Sequence, residues 1–234
     1  MIEKFIKTDL PTDKEGLLIL NGNNISDIFL KKLAGEFKTV YAADGASDRL
    51  FKGKIIPDFI IGDLDSISDD AKEYMEDKGV KFCIFPKEKD QTDSEIALEI
   101  LRKNGIKTVC AIGAFGLRFD HSLGNLNLLY RALKRDIRFY IVDEHNFVTL
   151  LNPGEYEIHK KTDCYFSIIS ATEKTTGVSI SGAKYNLNEY TLNMDVTVGI
   201  SNEFKSDVTL KFETGKIFLC ISSKNQNAGN LFGL

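Results

Sequence analysis

Apolar residues in the first part of the chain come in short unbroken runs. Each run is followed by a longer stretch with helical spacing of its apolar positions. The runs at 16–20, 39–43, 59–61, 81–85, 108–112 and 139–142 predict strands, and continuous apolarity predicts burial on both faces. Between them the pattern predicts helices over 26–37 (capped by Asn24 or Ser26), 46–51, 68–78 (stopped by Gly79) and 92–104 (stopped by Gly105). A last helix, opened by Asp120 or Ser122, runs to about 134. Strands alternating with helices predict βαβ units on a mostly parallel, Rossmann-like sheet.

The pattern changes after about His145. Short strand-like runs follow at 148–151, 155–159, 164–170, 177–181, 191–193, 196–200, 208–213 and 216–222, separated by turn residues such as Pro153-Gly154. Even spacing with little helical periodicity predicts an all-β second domain, sandwich or barrel-like. The expected organisation is therefore an α/β domain over 1–145 and a β-sandwich domain over 146–234. The polar, glycine-containing tail at 224–234 is expected to be loosely held.

Composition narrows the class. A formal net charge of −4 argues against a nucleic-acid partner, which calls for a basic footprint. Cys83, Cys110, Cys164 and Cys220 are far apart, without paired metal spacing, and each lies in an apolar run; they read as buried thiols of a reducing compartment. The opening Met1-Ile2-Glu3-Lys4 leads into mixed polar sequence, so no secretion leader is expected. No apolar run approaches the ~18 residues of a membrane span. A cytoplasmic protein with no membrane association is the expectation.

The candidate chemistry centres on Asp58-Phe59-Ile60-Ile61-Gly62-Asp63-Leu64-Asp65-Ser66. Asp63 and Asp65 follow a predicted strand two residues apart, and in an extended segment such residues point to one side. Two convergent carboxylates suit Mg²⁺, which uses one or two of them together with substrate phosphates. On its own, Asp-x-Asp-Ser reads more readily as a polar turn capping the next helix. Other predicted strands also lead into acidic loops: Asp44 after the second, Asp90 and Asp93 after the fourth, Arg118 and Asp120 after the fifth. In a parallel sheet all of these reach one edge, the edge where α/β proteins bind ligands. Thr92-x-x-Glu95 is a capping box, and a helix start so capped still offers amides to an anion. Gly113-x-x-Gly116 reads either as a turn or as a loop admitting a phosphate to backbone amides, with Arg118 as a forked cation beside it. His121 reads as a structural hydrogen-bonding residue. The chain has no Walker A sequence, no Gly-x-Gly-x-x-Gly, and no Ser-His-Asp arrangement by motif.

Taken in order, Ala43-Asp44-Gly45-Ala46, Gly62-Asp63-Leu64-Asp65-Ser66, Asp90-Gln91-Thr92-Asp93 and residues 113–121 resemble the motif set of the thiamine pyrophosphokinases. Gly182-Ala183-Lys184-Tyr185-Asn186-Leu187 and Ile200-Ser201-Asn202-Glu203-Phe204 are similar to that family's C-terminal motifs. The resemblance implies an α/β domain followed by a β-sandwich, and a homodimer whose active site lies between one subunit's α/β domain and its partner's β domain. It implies the reaction of ATP with thiamine to give thiamine diphosphate and AMP, with Mg²⁺. By resemblance, Asp63, Asp65 and Asp93 are the metal-binding residues, and with Arg118 the catalytic ones. Asn21, Gly22, Asp44, Gly45, Gln91, Thr92, Gly113, Gly116, Arg118 and Asp120 are the ATP-binding set, with Asp44 a further candidate beside the metal. Ser201, Asn202 and Phe204 are the thiamine-binding set, supplied by the partner subunit. Phe204 stands where relatives carry Trp or Tyr, and it reads almost as well as a β-domain core residue.

The implied chemistry is attack of thiamine's hydroxyl on the β-phosphorus of ATP, with Asp93 a candidate for orienting the hydroxyl or taking its proton. Three alternatives remain from the residues alone: a pyrophosphokinase for another small alcohol such as a pterin, a noncatalytic nucleotide- or thiamine-binding module, and a metal-dependent phosphohydrolase.

Overall fold

The computed structural model describes residues 4–6 (backbone only), 15–22, 25–88, 90–225 and 231–232. Asn24, the alternative helix cap, and parts of the C-terminal tail lie outside the described residues. The chain divides into two units. One comprises Pro11–Asp143; the other comprises Glu144–Gly233 together with Met1–Leu10. The first strand, β1 (Lys4–Ile6), thus belongs with the C-terminal half, whereas the hydrophobic pattern assigned the whole of 1–145 to the N-terminal domain.

In the unit Pro11–Asp143, six strands pair in parallel: β2 (Gly16–Ile19), β3 (Thr39–Ala43), β4 (Phe59–Gly62), β5 (Lys81–Ile84), β6 (Thr108–Ile112) and β7 (Arg138–Val142). Their spatial order is β7-β6-β2-β3-β4-β5. Five helices connect them: α1 (Asp27–Glu36), α2 (Ser47–Gly53), α3 (Asp69–Asp77), α4 (Asp93–Lys103) and α5 (Phe119–Leu133). The central strands β2 and β6 are buried throughout, as unbroken apolar runs require. Ser26, Ser68 and Thr92 cap α1, α3 and α4 through their hydroxyls, each satisfying a helix N–H that would otherwise be orphaned. The last helix begins at Phe119 behind Arg118, earlier than either predicted opener, and has no side-chain cap. The chain grows from β2 toward β5 on one side and from β6 toward β7 on the other. The carboxyl ends of β2 and β6 therefore form a switch point, where such sheets leave a crevice.

The other unit holds β8 (Asn146–Leu151), β9 (Gly154–Ile158), β10 (Cys164–Ser170), β11 (Lys174–Ala183), β12 (Leu187–Asn193), β13 (Asn202–Phe212) and β14 (Ile217–Ser223). One antiparallel ladder runs β8-β14-β10, and the first residues of β13 join it. The rest of β13 pairs with β9 and β11, and β11 pairs with β12. A single long strand thus takes part in both ladders. Burial alternates strictly along β10, the mark of a strand with one covered face. β1 adds in parallel to β9, with Lys4 to Ile6 in register with Tyr156 to Ile158.

The predicted strand at 196–200 does not form. Residues 194–200 lie in turns and irregular backbone, with Val198 and Ile200 exposed, so an apolar run here marks surface rather than core. Cys110 and Cys164 are buried as expected, while Cys83 and Cys220 are half-buried, and all four are free thiols. Described residues of the tail are held at several points: Leu231 is buried and its N–H donates to the Glu144 carbonyl at 2.5 Å, the Lys224 N–H donates to the Asp163 carbonyl at 2.8 Å, and Lys161 Nζ lies 5.2 Å over the Phe232 ring. No helix among the described residues is long and apolar enough to cross a membrane.

Candidate active site

Asp44 follows β3 directly and starts a single 3₁₀ turn, Asp44–Ala46, that feeds α2. Only 4% of it is exposed. Its carboxylate accepts the Leu64 N–H at 3.0 Å and lies against the backbone of Gly62. A Cβ at Gly62 would stand 2.5 Å from the Asp44 carboxyl carbon, so only glycine lets the two strand ends approach this closely.

Beyond Gly62 the chain turns at once. Leu64 adopts a left-handed conformation (φ 64°), and the Asp65 N–H donates to Asp63 Oδ1 at 3.2 Å. Asp63 and Asp65 converge because of this tight turn, not because the segment is extended as their spacing suggested. Left-handed backbone at a non-glycine residue is costly and is found where a site over-determines it. Carboxylate oxygens of Asp44, Asp63 and Asp65 lie within 4.8 Å of one another. Burial, reinforced by the charges of Asp93 and Asp63, raises the Asp44 pKa to about 6. Lys87 hydrogen-bonds Asp65, holding that carboxyl below the usual range, and Ser66 Oγ donates to Asp65 Oδ1 at 3.0 Å.

These groups face a cleft of about 570 Å³. Of the residues singled out above, Asn21, Asp44, Gly45, Asp63, Gln91, Thr92, Asp93 and Asp120 line it. Asp65 adjoins it through its grouping with Asp44 and Asp63. Thr92 closes the expected capping box: its Oγ1 accepts the Glu95 N–H at 3.3 Å, and Glu95 Oε2 accepts the Thr92 N–H at 3.2 Å. At the switch point the Gly22 N–H donates to the Gly113 carbonyl at 2.7 Å, and a Cβ on Gly22 would collide with Gly113 and Phe115. Gly22, Gly113, Gly116 and Arg118 do not line the cleft themselves. Arg118 grips Asp120 with both arms of its guanidinium (3.2 and 2.6 Å), and that pairing holds Asp120 down to about 2.

Ser66, Lys87, Ser94, His121, Gly124 and Asn125 also line the cleft and were not assigned to the site from sequence. A signal existed for α5. Asp120 and Gly124, and likewise His121 and Asn125, are four apart, so a polar stripe at helical spacing marks the cleft-facing side. His121, read as structural, lies in this stripe. Lys87 follows β5 in a polar loop and carried no distinguishing pattern.

In the other unit, Ser201 is exposed, with φ 58°, and its N–H donates to Ser167 Oγ at 3.0 Å. Asn202 is buried. Its amide holds Tyr185 by both backbone groups (3.0 Å from the N–H, 2.7 Å to the carbonyl) and accepts the Glu203 N–H at 2.9 Å. Phe204 is half-buried and tilts against buried Phe166, ring centroids 4.8 Å apart. Beside them Glu203 is held down to about 2 by Lys184 and Lys224. A second group of potential ligand atoms is on Glu157 of β9, His159 just past its end, and Asp207 of the neighbouring β13; Asp207 is engaged there by the Lys160 N–H at 2.7 Å.

Carboxylates gathered beside an open helix start, at the carboxyl edge of a parallel sheet, suit a phosphate-bearing ligand accompanied by a hard cation. That is the equipment of a phosphotransferase. Residues 30–141 match the thiamin pyrophosphokinase catalytic domain, and residues 155–217 match the thiamin pyrophosphokinase vitamin B1 binding domain. The chain is 32% identical to thiamine pyrophosphokinase of Bacillus subtilis (strain 168) over 182 residues, covering 77% of this chain and 85% of that protein. A crystal structure of the Bacillus subtilis thiamine pyrophosphokinase superposes with a TM-score of 0.79 at 30% identity, over 90% of this chain and all 100% of that one. Yeast thiamin pyrophosphokinase, at 18% identity, shares the fold with a TM-score of 0.81 over 95% of this chain and 92% of its own. The chain belongs to the thiamine pyrophosphokinase family.

Proposed function

We propose that this protein is a thiamine diphosphokinase, transferring the diphosphate of ATP to the hydroxyl of thiamine and releasing thiamine diphosphate and AMP. The observation that carries the reading is the Asp44, Asp63 and Asp65 group at the carboxyl edge of a parallel sheet, in a chain of this family.

The donor set fits Mg²⁺: all three ligand atoms are carboxylate oxygens, and the Asp44 pKa is raised by burial, with the charges of Asp93 and Asp63 adding to it. Asp63 and Asp65, with Asp44, would hold the ion, and Asp93 lines the same cleft. Mg²⁺ supplies charge neutralisation along the phosphate chain when bound. The residues of the chain do the rest. Thr92 and the first amides of α4 receive phosphate oxygens, and Gly22 and Gly113 let the nucleotide approach the backbone. Asn21, Gly45, Gln91, Gly116, Arg118 and Asp120 complete the ATP contacts. The hydroxyl oxygen of thiamine forms a bond to the β-phosphorus, the bond from that phosphorus to the α-bridging oxygen breaks, and a carboxylate such as Asp93 takes the hydroxyl proton.

The acceptor half of the reading places thiamine against Ser201 and Phe204 of a partner subunit, in a homodimer. Asn202 contributes by fixing Tyr185. The exposed apolar residues Tyr185, Met194, Val198 and Ile200 around these positions support an interface there. A Rossmann-like N-terminal domain, a β-sandwich C-terminal domain divided near residue 145, and a cytoplasmic location belong to the same reading.

The direct test is to incubate the protein with ATP, Mg²⁺ and thiamine and to identify products by mass. Thiamine diphosphate and AMP are expected. ADP with thiamine monophosphate, or ATP consumed without any thiamine product, would reject the reading.

A further inference from the structure

The cleft has two helical walls. Thr92, Asp93 and Ser94 present the start of α4, and Asp120, His121, Gly124 and Asn125 present the first turns of α5. Side chains join the two walls. Glu95 uses both oxygens. Oε2 accepts the Thr92 N–H, closing the capping box, while Oε1 accepts from Arg131 Nη2 of α5 at 2.6 Å. One turn further along α4, Glu99 Oε1 meets Nε of Arg135, in the turn just past the end of α5, at 2.5 Å.

The two rungs advance by four residues in the same sense along both segments. The first joins the first turn of α4 to the last turn of α5, where an acidic group suits the one helix end and a basic group the other. The Glu95 and Arg131 side chains are only 25% and 28% exposed, so salt screens this pair less than a surface pair. Neither residue lines the cleft.

We propose that Arg131 and Glu95 are positioning residues for diphosphate transfer. They hold the first turn of α4, with Thr92 and Asp93, at the distance from α5 that a phosphate chain spans. The inference rests on the functional reading above and adds to it a pair that acts only through Thr92 and Asp93. The charge on Arg131 is the operative feature, because the capping bond alone does not tie the first turn of α4 to α5, and the Glu99–Arg135 pair acts one turn further on.

Glu95→Gln separates the two roles of the carboxylate, since glutamine also closes a capping box but brings no charge to Arg131. It is compared with Arg131→Met, Arg131→Lys and the double variant Glu95→Gln, Arg131→Met. Three quantities are measured: steady-state kinetics, calorimetric affinity for α,β-methylene ATP with Mg²⁺, and the melting midpoint. Glu95→Gln and Arg131→Met are each expected to lower kcat about ten-fold, as displaced reacting groups do, with the KM for thiamine unchanged. The double variant is expected to lose little more than either single one, and Arg131→Lys to recover most of the rate. Lowered melting midpoints with wild-type kcat and analogue affinity well below the melt would overturn the proposal, leaving a stability strut only. Should Arg131→Met not fold, Glu95→Gln carries the comparison. Should the wild type turn over no thiamine, the functional reading fails by itself. Analogue affinity and amide exchange over residues 92–95 then decide the positioning claim: weakened binding with faster exchange supports it, and unchanged values reject it.

Discussion

Asp44 is the residue whose environment says most about the site. Its carboxyl is 4% exposed and its pKa is raised to about 6, from the usual 3.8. A raised carboxyl pKa means that the folded protein prefers the protonated form. The contribution is fully present below the unfolded pKa, near 4, and is lost as pH rises through about 6. The metal-free protein should therefore gain stability as pH is lowered from 7 to 5. Asp44→Asn should flatten that part of the profile and stabilise the metal-free protein at pH 7 by roughly 2–3 kcal/mol, at ~1.4 kcal/mol per pH unit. Urea melts at several pH values check both statements; a profile in Asp44→Asn identical to wild type would refute them. Mg²⁺ affinity should fall over the same window, because protons compete for the same oxygens. Asp63→Asn and Asp65→Asn remove ligand charge from the same group. Each should cut turnover by more than the ~10–100-fold typical of outer-shell partners, with circular dichroism unchanged. Near-normal turnover in both would remove these two residues from the metal site.

Among the elements, the proposed reading draws on the first turn of α4 and the first residues of β13. Thr92→Ala removes the capping hydroxyl and should cost about 1 kcal/mol of stability, while leaving Glu95 to hold Arg131. Phe204→Ala should raise the KM for thiamine several-fold with little change in the KM for ATP. It should also lower the melting midpoint, because the ring packs on Phe166; a lowered midpoint with unchanged thiamine kinetics would make Phe204 a packing residue alone. At this scale much was legible before any coordinates. The capping box of Thr92 and Glu95 forms as the motif requires, because a cap is a local interaction that neighbouring residues specify by themselves. The strands of the parallel sheet followed from runs such as 108–112, whose apolarity is unbroken because both faces are buried. Less was legible where distant chain decides the outcome. The burial of Asp44 depends on Gly62 and Leu64, eighteen and twenty residues on. The inward turn of Asn202 depends on Tyr185, and no local pattern announces either. The run 196–200 misled because exposed apolar residues in a turn have the same composition as a strand. β1 was missed because its partner lies in residues 156–158.

For the molecule as a whole, the proposed division of the site between subunits has a direct consequence. Asp93 sits in one unit and Ser201 and Phe204 in the other. Mixing an Asp93→Ala protein with a Ser201→Ala, Phe204→Ala protein should restore activity, since a heterodimer would hold one site with both halves intact. Verified subunit exchange without recovered activity would place both halves of a site in one chain.

The pairing of β1 with β9 also bears on how the protein is made. Synthesis delivers Lys4 to Ile6 first, and their partners Tyr156 to Ile158 only after about 150 more residues have emerged. At ~5–20 residues per second, that interval is roughly 8–30 seconds, ample for the intervening parallel-sheet unit to fold at the ribosome while the leading strand waits. β1 is thus among the last strands to find its place. A nascent chain arrested before residue 156 should leave these first residues open to proteases that spare them once translation is complete.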